Sequence, residues 1–146
     1  MKMIVDRRLT KAQFQPLIPH VGVMNLIDMV ESWADNRIVC RTRSHLQTEH
    51  PLRLNGQLSA IHLLEYGAQA MAIHGGLLHG KALPGYLAAV RGAQFYIENL
   101  DDVAGDLIIK ANAELKIQNG AVYRFTIMDS ADLLLVEARA TVINTL

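Results

Sequence analysis

The sequence has little of what disulfide-stabilised, nucleic-acid-binding or membrane-spanning proteins carry. Its 146 residues include one cysteine, Cys40, so no disulfide can form within the chain. The 14 basic and 14 acidic side chains cancel, and this zero net charge argues against a nucleic-acid-binding protein. The longest weakly charged stretch, residues 67–80, is interrupted by glycine, glutamine and two histidines. A membrane span is therefore not expected.

The composition predicts a folded cytoplasmic protein. The first residues, MKMIVDRRLTKAQ, lack the apolar run of a secretory signal peptide. Apolar residues make up 51% of the chain and charged residues 19%, which excludes a disordered protein. At this length we expect one domain, over residues 1–146, with a single core. Zero net charge also favours a protein that buries part of its surface in an oligomer.

The hydrophobic pattern begins with a hairpin and continues with one long helix. After a turn at residues 34–36, Ile38, Cys40 and Thr42 alternate with Val39 and three arginines, which is the period of a half-buried strand. From about residue 57 to residue 79, apolar side chains recur at spacings of three and four, which predicts a helix of about six turns. Its alanines and glycines would let a curved sheet approach closely.

The rest of the chain is predicted to be strands. Four apolar segments after residue 84 are separated by turn formers, and Asn119-Gly120 is the strongest hairpin signal among them. A hairpin, a long helix and a meander of three or four strands give an α+β domain. We expect one helix to cover one face of one antiparallel sheet.

Glu65 stands out because the predicted helix is otherwise apolar on nearly every side. A buried carboxylate is costly unless another group pairs with it or the reaction uses it. Gln69 lies one turn later on the same face and can orient Glu65 by a hydrogen bond. An exposed stripe would carry further charges, but the neighbouring positions hold Ile, His, Ala, Gln and Gly. Glu65 is therefore a candidate functional residue.

Three segments, in order along the chain, resemble the hotdog-fold β-hydroxyacyl thioester dehydratases. Residues 17–30 contain Leu-Ile-Pro-His and then Asn-Leu-Ile-Asp-Met-Val, similar to the family's Leu-Pro-His-Arg followed by Leu-Leu-Val-Asp-Arg-Val. Residues 63–69, Leu-Leu-Glu-Tyr-Gly-Ala-Gln, resemble the family's central helix, and residues 85–95, GYLAAVRGAQF, its next strand. The chain looks closest to the short dehydratase-like branch of aryl polyene or related fatty-acid-like gene clusters.

The resemblance implies a hotdog fold, in which a curved antiparallel sheet wraps one long helix, and the removal of water from 3-hydroxyacyl thioesters. This reaction needs a base for the C2 proton, an acid for the departing hydroxyl and a donor to the thioester carbonyl. Glu65 would be the acid or its partner, since burial favours a protonated carboxyl group. Backbone N–H groups near the helix start are candidate donors. The predicted substrate-binding residues are Gln69, Ser59, Ala60, Ile61, Tyr86 and Leu87, with Ser59 also a candidate N-cap.

The base is the open assignment. The family's catalytic histidine lies in a Gly-His-Phe-Pro-Gly loop, which residues 49–56, EHPLRLNG, replace here. Counting back from Glu65, His50 falls within one residue of the family spacing, whereas counting forward from Asp28 brings Asn55 nearer. His50 is the leading candidate and His20 the second. His45 is a weaker one, while the other histidines are assigned to packing, subunit contacts or the helix end.

Three functions remain in competition. The first is a dehydratase, the second a hotdog thioesterase in which Glu65 activates water, and the third a non-catalytic acyl-binding or scaffolding subunit of a dehydratase complex. The expected partners are an acyl carrier protein or coenzyme A thioester, and a second subunit in a homodimer, a higher oligomer or a hetero-oligomer with another dehydratase subunit. Neither a metal nor a cofactor is expected, apart from the phosphopantetheine that carries the substrate. The candidate contacts for an acidic carrier protein or its phosphopantetheine are the basic residues Arg41, Arg43, Arg53, Lys81 and Arg91.

Overall fold

A long helix lies against a seven-stranded antiparallel sheet. The computed structural model describes residues 8–19 and 22–145. The helices are α1 (Lys11–Phe14) and α2 (Leu63–His79). The strands are β1 (Leu9–Thr10), β2 (Met29–Ala34), β3 (Arg37–Thr42), β4 (Gly85–Phe95), β5 (Leu107–Ile117), β6 (Gly120–Met128) and β7 (Leu134–Asn144). Their order across the sheet is β1-β2-β3-β5-β6-β7-β4.

Both predicted hairpins are confirmed, and β5, β6 and β7 form the predicted antiparallel meander of three strands, but β4 lies outside it. β2 pairs with β3, and β5 pairs with β6 around Asn119-Gly120. β4 does not pair with β5, its neighbour in the chain; it joins β7 at the edge of the sheet, and β5 joins β3. The connection over residues 96–106 makes this possible. It passes the start of α2, where Leu100 N–H donates to Leu58 O and Ala60 N–H to Glu98 O.

The helix α2 is shorter than predicted. It begins at Leu63, after a 3-10 turn at Ala60–His62, and not near residue 57. Residues 54 to 59 stay outside the helix because Leu54 and Gln57 close a tight turn through Asn55 and Gly56, both with positive φ, and Ser59 bridges to Asn99. The predicted cap is present on the 3-10 turn, where Ser59 Oγ accepts a bond from Ile61 N–H. At the other end, Gly80 closes the helix with a φ of 75°, a conformation that favours glycine.

The core lies between α2 and the inner face of the sheet. Along β6, Tyr123, Phe125 and Ile127 are buried, while Arg124 between them is exposed. At Gly67, an added Cβ would lie 2.7 Å from the Phe125 ring, so glycine is required for this close approach. Cys40 is fully buried, as its alternation predicts. One helix against a large antiparallel sheet is the arrangement of the predicted hotdog fold.

Candidate functional site

An apolar groove of about 620 Å³ runs along one face of α2. Glu65, Ala68, Ala72, Gly75 and His79 line it at helical spacings of three and four. The opposite wall comes from the start of β4, including the predicted substrate-binding residues Tyr86 and Leu87, and from the hairpin end of β5 and β6 with β7. The groove thus has small side chains along the helix and a carboxylate near the helix start.

Gln69 anchors the helix beside Glu65. Its side chain is fully buried, and Gln69 Oε1 accepts a bond from Leu26 N–H at 2.8 Å. Gln69 Nε2 donates to Met24 O at 2.8 Å and to Glu65 Oε1 at 3.2 Å. The side-chain amide therefore fixes one carboxylate oxygen of Glu65 with a group that is itself held by two backbone atoms. The hydrogen bond suggested by the i, i+4 spacing is present.

His50 belongs to a buried hydrogen-bond chain outside the groove lining. Leu52 N–H donates to His50 Nδ1 at 3.1 Å, which assigns the ring proton to Nε2. His50 Nε2–H then donates to the Tyr66 hydroxyl at 3.0 Å. Tyr66 O–H donates to Ser44 Oγ at 2.8 Å, and Ser44 O–H donates to Leu26 O at 2.7 Å. The chain ties the loop at residue 50 to α2 and to the segment before β2.

This geometry argues against His50 as the base, which stays a prediction. Both ring nitrogens are hydrogen-bonded within the protein, so neither offers a lone pair to a substrate in this arrangement. Burial, together with the positive charge of Arg53 and the nearby His62 and His45, lowers the pKa of His50 to about 4, which weakens it as a base. His50 here links the loop at residue 50 to Tyr66 on α2. The second candidate, His20, lies outside the described residues.

The buried histidines predict a loss of stability in mild acid. Burial lowers the pKa of His45, His50 and His74 below 6.5, so below about pH 6.5 the unfolded chain binds protons that the folded chain does not. For His50, stability present at neutral pH is lost as the pH falls from about 6.5 to about 4. We expect the contribution of His50 to the free energy of unfolding in urea to fall by roughly 1 to 2 kcal/mol between pH 7.5 and pH 5, with further loss in the same direction from His45 and His74. His50→Gln, whose side-chain amide can still donate to the Tyr66 hydroxyl but does not ionise, should lose less stability between these pH values. The same loss in this variant as in the wild type would show that His50 is not its source.

The backbone donors predicted near the helix start are occupied. Leu58 N–H bonds to Asp101 Oδ2, Ala60 N–H to Glu98 O and Ile61 N–H to Ser59 Oγ. The 3-10 turn and the connection after β4 use the donors that a regular helix start would leave open. The N–H groups of Leu58, Ala60 and Ile61 therefore have partners within the fold and do not point a free donor at a thioester carbonyl.

Three further histidines, His45, His74 and His79, also have structural partners. His74 is fully buried, with Nε2 donating to Ala34 O and Nδ1 accepting from the Tyr123 hydroxyl at 2.7 Å. His45 is fully buried, and its Nε2 donates to Val103 O. His79 Nδ1 donates to Gly75 O in the last turn of α2. No cluster of three metal-ligating side chains occurs among residues 8–19 and 22–145.

Several of the basic residues suggested as carrier contacts form hydrogen bonds or ion pairs with other groups of the protein. Arg53 bonds to Asp101 and to the carbonyls of Gln47, Gly56 and His45, and its side chain is only 12% exposed. Arg41 and Arg43 both form ion pairs with Asp106. Within the described parts of the chain, none of the helices combines the length and apolar character that crossing a bilayer requires.

Sequence reasoning missed the groove and the Tyr66 network. The small residues of α2 were expected to serve the approach of the sheet, which is correct for Gly67 but wrong for Gly75, where an added Cβ meets nothing within 4 Å. The signal for the groove was available in the spacing of Ala68, Ala72 and Gly75 from Glu65 along one helix face. The Tyr66 network had no such signal, since its partners are distant in sequence.

Comparison with solved structures identifies relatives of the same fold. The dehydratase heterocomplex ApeI:P from Xenorhabdus doucetiae matches with a TM-score of 0.78 and 20% identity, over 91% of each chain. The PaaI protein from the phenylacetic acid degradation operon of E. coli matches with a TM-score of 0.60 and 14% identity, over 78% of this chain and 80% of that one. A hypothetical thioesterase with coenzyme A from Streptococcus pneumoniae TIGR4 matches with a TM-score of 0.57 and 19% identity, over 80% and 84%. The predicted hotdog fold is confirmed.

Comparison of the sequence itself points to one family. No curated protein matches it. A profile of the ApeP-like family, described as ApeP dehydratase, matches residues 12–145, nearly the whole chain. This match confirms the relation to dehydratases that the three quoted segments suggested. The chain belongs to the ApeP-like dehydratase family.

Proposed function

We propose that this chain is the glutamate-bearing subunit of a dehydratase that converts 3-hydroxyacyl thioesters to 2-enoyl thioesters. The reaction belongs to the synthesis of a polyene or fatty-acid-like chain, and the substrate is carried on the phosphopantetheine of an acyl carrier protein. The observation that carries the proposal is the position of Glu65 in an apolar groove, with Gln69 fixing one of its oxygens. Membership of a dehydratase family supports the reaction class.

In this proposal the acyl chain lies along α2 and its C3 hydroxyl meets Glu65. A base removes the C2 proton, the electron pair forms the C2–C3 double bond, and the C3–O bond breaks as Glu65 gives a proton to the leaving hydroxyl. Water departs, and the base and Glu65 return to their starting protonation states by exchange with solvent. Ala68, Ala72 and Gly75 leave the space that the acyl chain fills.

The base comes from a partner subunit. His50 is engaged at both ring nitrogens, and His79 is the one histidine lining the groove among the described residues, about 21 Å from Glu65 along the helix at 1.5 Å per residue. Edge strand β4 is largely exposed over its 11 residues and offers unpaired backbone groups for a second subunit. The structural relative ApeI:P is a heterocomplex of dehydratases. We therefore assign this chain to a hetero-oligomer with another dehydratase subunit.

The test is turnover of a 3-hydroxydecanoyl thioester on acyl carrier protein, followed by mass spectrometry for the loss of water. We expect dehydration by the mixture of this chain and its partner dehydratase subunit, and little by either protein alone. Full activity of this chain alone would contradict a base from the partner, and His20→Ala would then show whether His20 supplies it. Release of free thiol, followed with a thiol reagent, would instead identify the hydrolase that remains the alternative.

A further inference from the structure

A row of arginines crosses the sheet from β3 to edge strand β4. Arg37 on β3 is paired with Asn112 on β5, and Asn112 with Arg124 on β6. Arg124 is paired with Arg139 on β7, and Arg139 with Arg91 on β4. These five residues, here called the arginine row, form one line across five neighbouring strands.

The arginine row lies on the outer face of the sheet, away from α2 and from the groove. Arg124 stands between buried Tyr123 and Phe125, and Arg139 between buried Ala138 and Ala140. Because successive side chains of a strand point to opposite faces, the arginines point outward. Their side chains are accessible, with 48% of Arg124 and 59% of Arg139 exposed.

The charges of the row are only partly balanced. Like charges directly opposite on adjacent strands destabilise a sheet, and Arg139 faces an arginine on each side. Glu137 lies 3.9 Å from Arg124, and Glu114 accepts a bond from Arg139 at 2.8 Å. Within residues 8–19 and 22–145, Arg37 and Arg91 form no ion pair. The row thus keeps an excess of positive charge in a protein whose net charge is zero.

The geometry of the row favours an extended anionic partner over a single small anion. Each residue of the row stands on a different strand, so its charges are spread along a line that crosses five strands. Neighbouring strands lie about 4.8 Å apart, which sets the spacing of the charges. Carboxylates one turn apart on a helix are about 5 to 6 Å apart, close to this spacing. At the β4 end of the row, Arg91, Arg124 and Arg139 line a shallow hollow of about 490 Å³ in which such a helix can bind.

Nucleic acid fits the row less well than an acidic helix does. Glu114 and Glu137 lie beside the row and repel a continuous line of phosphates, whereas a helix can place neutral side chains against them. None of the row residues is aromatic, so bases would have no stacking platform. Arginine also suits carboxylates, since its planar guanidinium binds them through two parallel hydrogen bonds.

We propose that the arginine row is a docking surface for an acidic α-helix of a partner protein, laid across β6, β7 and β4. The binding surface is separate from the groove, so the proposal does not rest on the proposed function. The partner helix contributes carboxylates spaced one turn apart. The affinity of the complex falls as salt screens the exposed charges.

The test uses a fluorescein-labelled, alanine-rich peptide helix with glutamate at every fourth position, and measures fluorescence anisotropy at low salt. The variant Arg91→Gln with Arg139→Gln removes two charges from the row. The matched control, Lys81→Gln with Arg43→Gln, removes two exposed charges elsewhere. We expect saturable binding by the wild type, about fivefold weaker in the row variant and unchanged in the control. Thermal melts verify that both variants are folded.

Three results would overturn the proposal. If the control variant weakened peptide binding as much as the row variant, the loss of affinity would reflect net charge and not the row. If a peptide of the same composition, with its glutamates gathered at one end, bound more tightly than the spaced peptide, the row would not recognise one-turn spacing. Tighter binding of a single-stranded oligonucleotide, or no saturable binding of the spaced peptide, would exclude an acidic helix as the partner.

Discussion

Replacing Glu65 by glutamine in the assembled complex lowers the rate of dehydration by about two to four orders of magnitude, the usual contribution of a positioned acid. Glutamine has nearly the same size and can still accept the bond from Gln69 Nε2, so the shape of the groove is kept. The amide cannot give its proton to the departing hydroxyl. We therefore expect kcat to fall with little change in KM, because the acyl chain binds as before.

The matched control for this change is Glu49→Gln. Glu49 is also a glutamate, but it is exposed in the loop before α2 and does not line the groove. Its variant should keep the turnover of the wild type. Full turnover by Glu65→Gln, with normal melting and assembly, would assign the acid to the partner subunit. The chain would then be an acyl-binding or scaffolding subunit, the third function considered from its sequence.

The fold could be predicted from local patterns because each pattern reports a local physical preference. The Asn119-Gly120 turn, the alternation in β3 and the apolar periodicity of α2 all depend on residues close together in the chain. The position of β4 could not be predicted this way, since pairing with β7 is set by the path of residues 96–106 across the start of α2. The early helix start was wrong for a similar reason: contacts with Asp101 and Asn99 hold Leu58 and Ser59 outside the helix.

In the candidate site, too, local features could be predicted from the sequence and long-range contacts could not. Glu65 and Gln69 lie one turn apart, so their hydrogen bond could be inferred from spacing alone. His50 could not be placed by spacing, because its partners Tyr66 and Leu52 act together with burial to engage both ring nitrogens. Tyr66 is adjacent to Glu65 in the chain but is fully buried, whereas Glu65 lines the groove. Two adjacent residues of α2 thus face different surroundings: Tyr66 belongs to the buried hydrogen-bond network, and Glu65 belongs to the groove in which the reaction is proposed.

The substitution Gly75→Phe is expected to reduce the length of the longest acyl chain that the complex accepts. Gly75 lines the groove about 15 Å from Glu65 along the helix, at 1.5 Å per residue. An added Cβ there meets no atom within 4 Å, so the larger side chain enters the open groove without displacing the core. Removing a glycine from a helix interior is also mildly stabilising, by about 0.5 to 1 kcal/mol. The variant should therefore fold at least as well as the wild type.

The expected result is a length-dependent loss of turnover. Gly75→Phe should process 3-hydroxybutyryl thioesters at the rate of the wild type and 3-hydroxyhexadecanoyl thioesters at least about tenfold more slowly, since even one unaccommodated methylene changes kcat/KM by roughly 10- to 200-fold. Ala68→Phe, one turn from Glu65, should slow both substrates, and Gly75→Ala should slow neither. Equal rates for every chain length in Gly75→Phe would show that the acyl chain does not run along α2. The order of the three variants thus tests the direction of the chain as well as its presence, because only a chain that starts at Glu65 and passes Ala68 before Gly75 produces it.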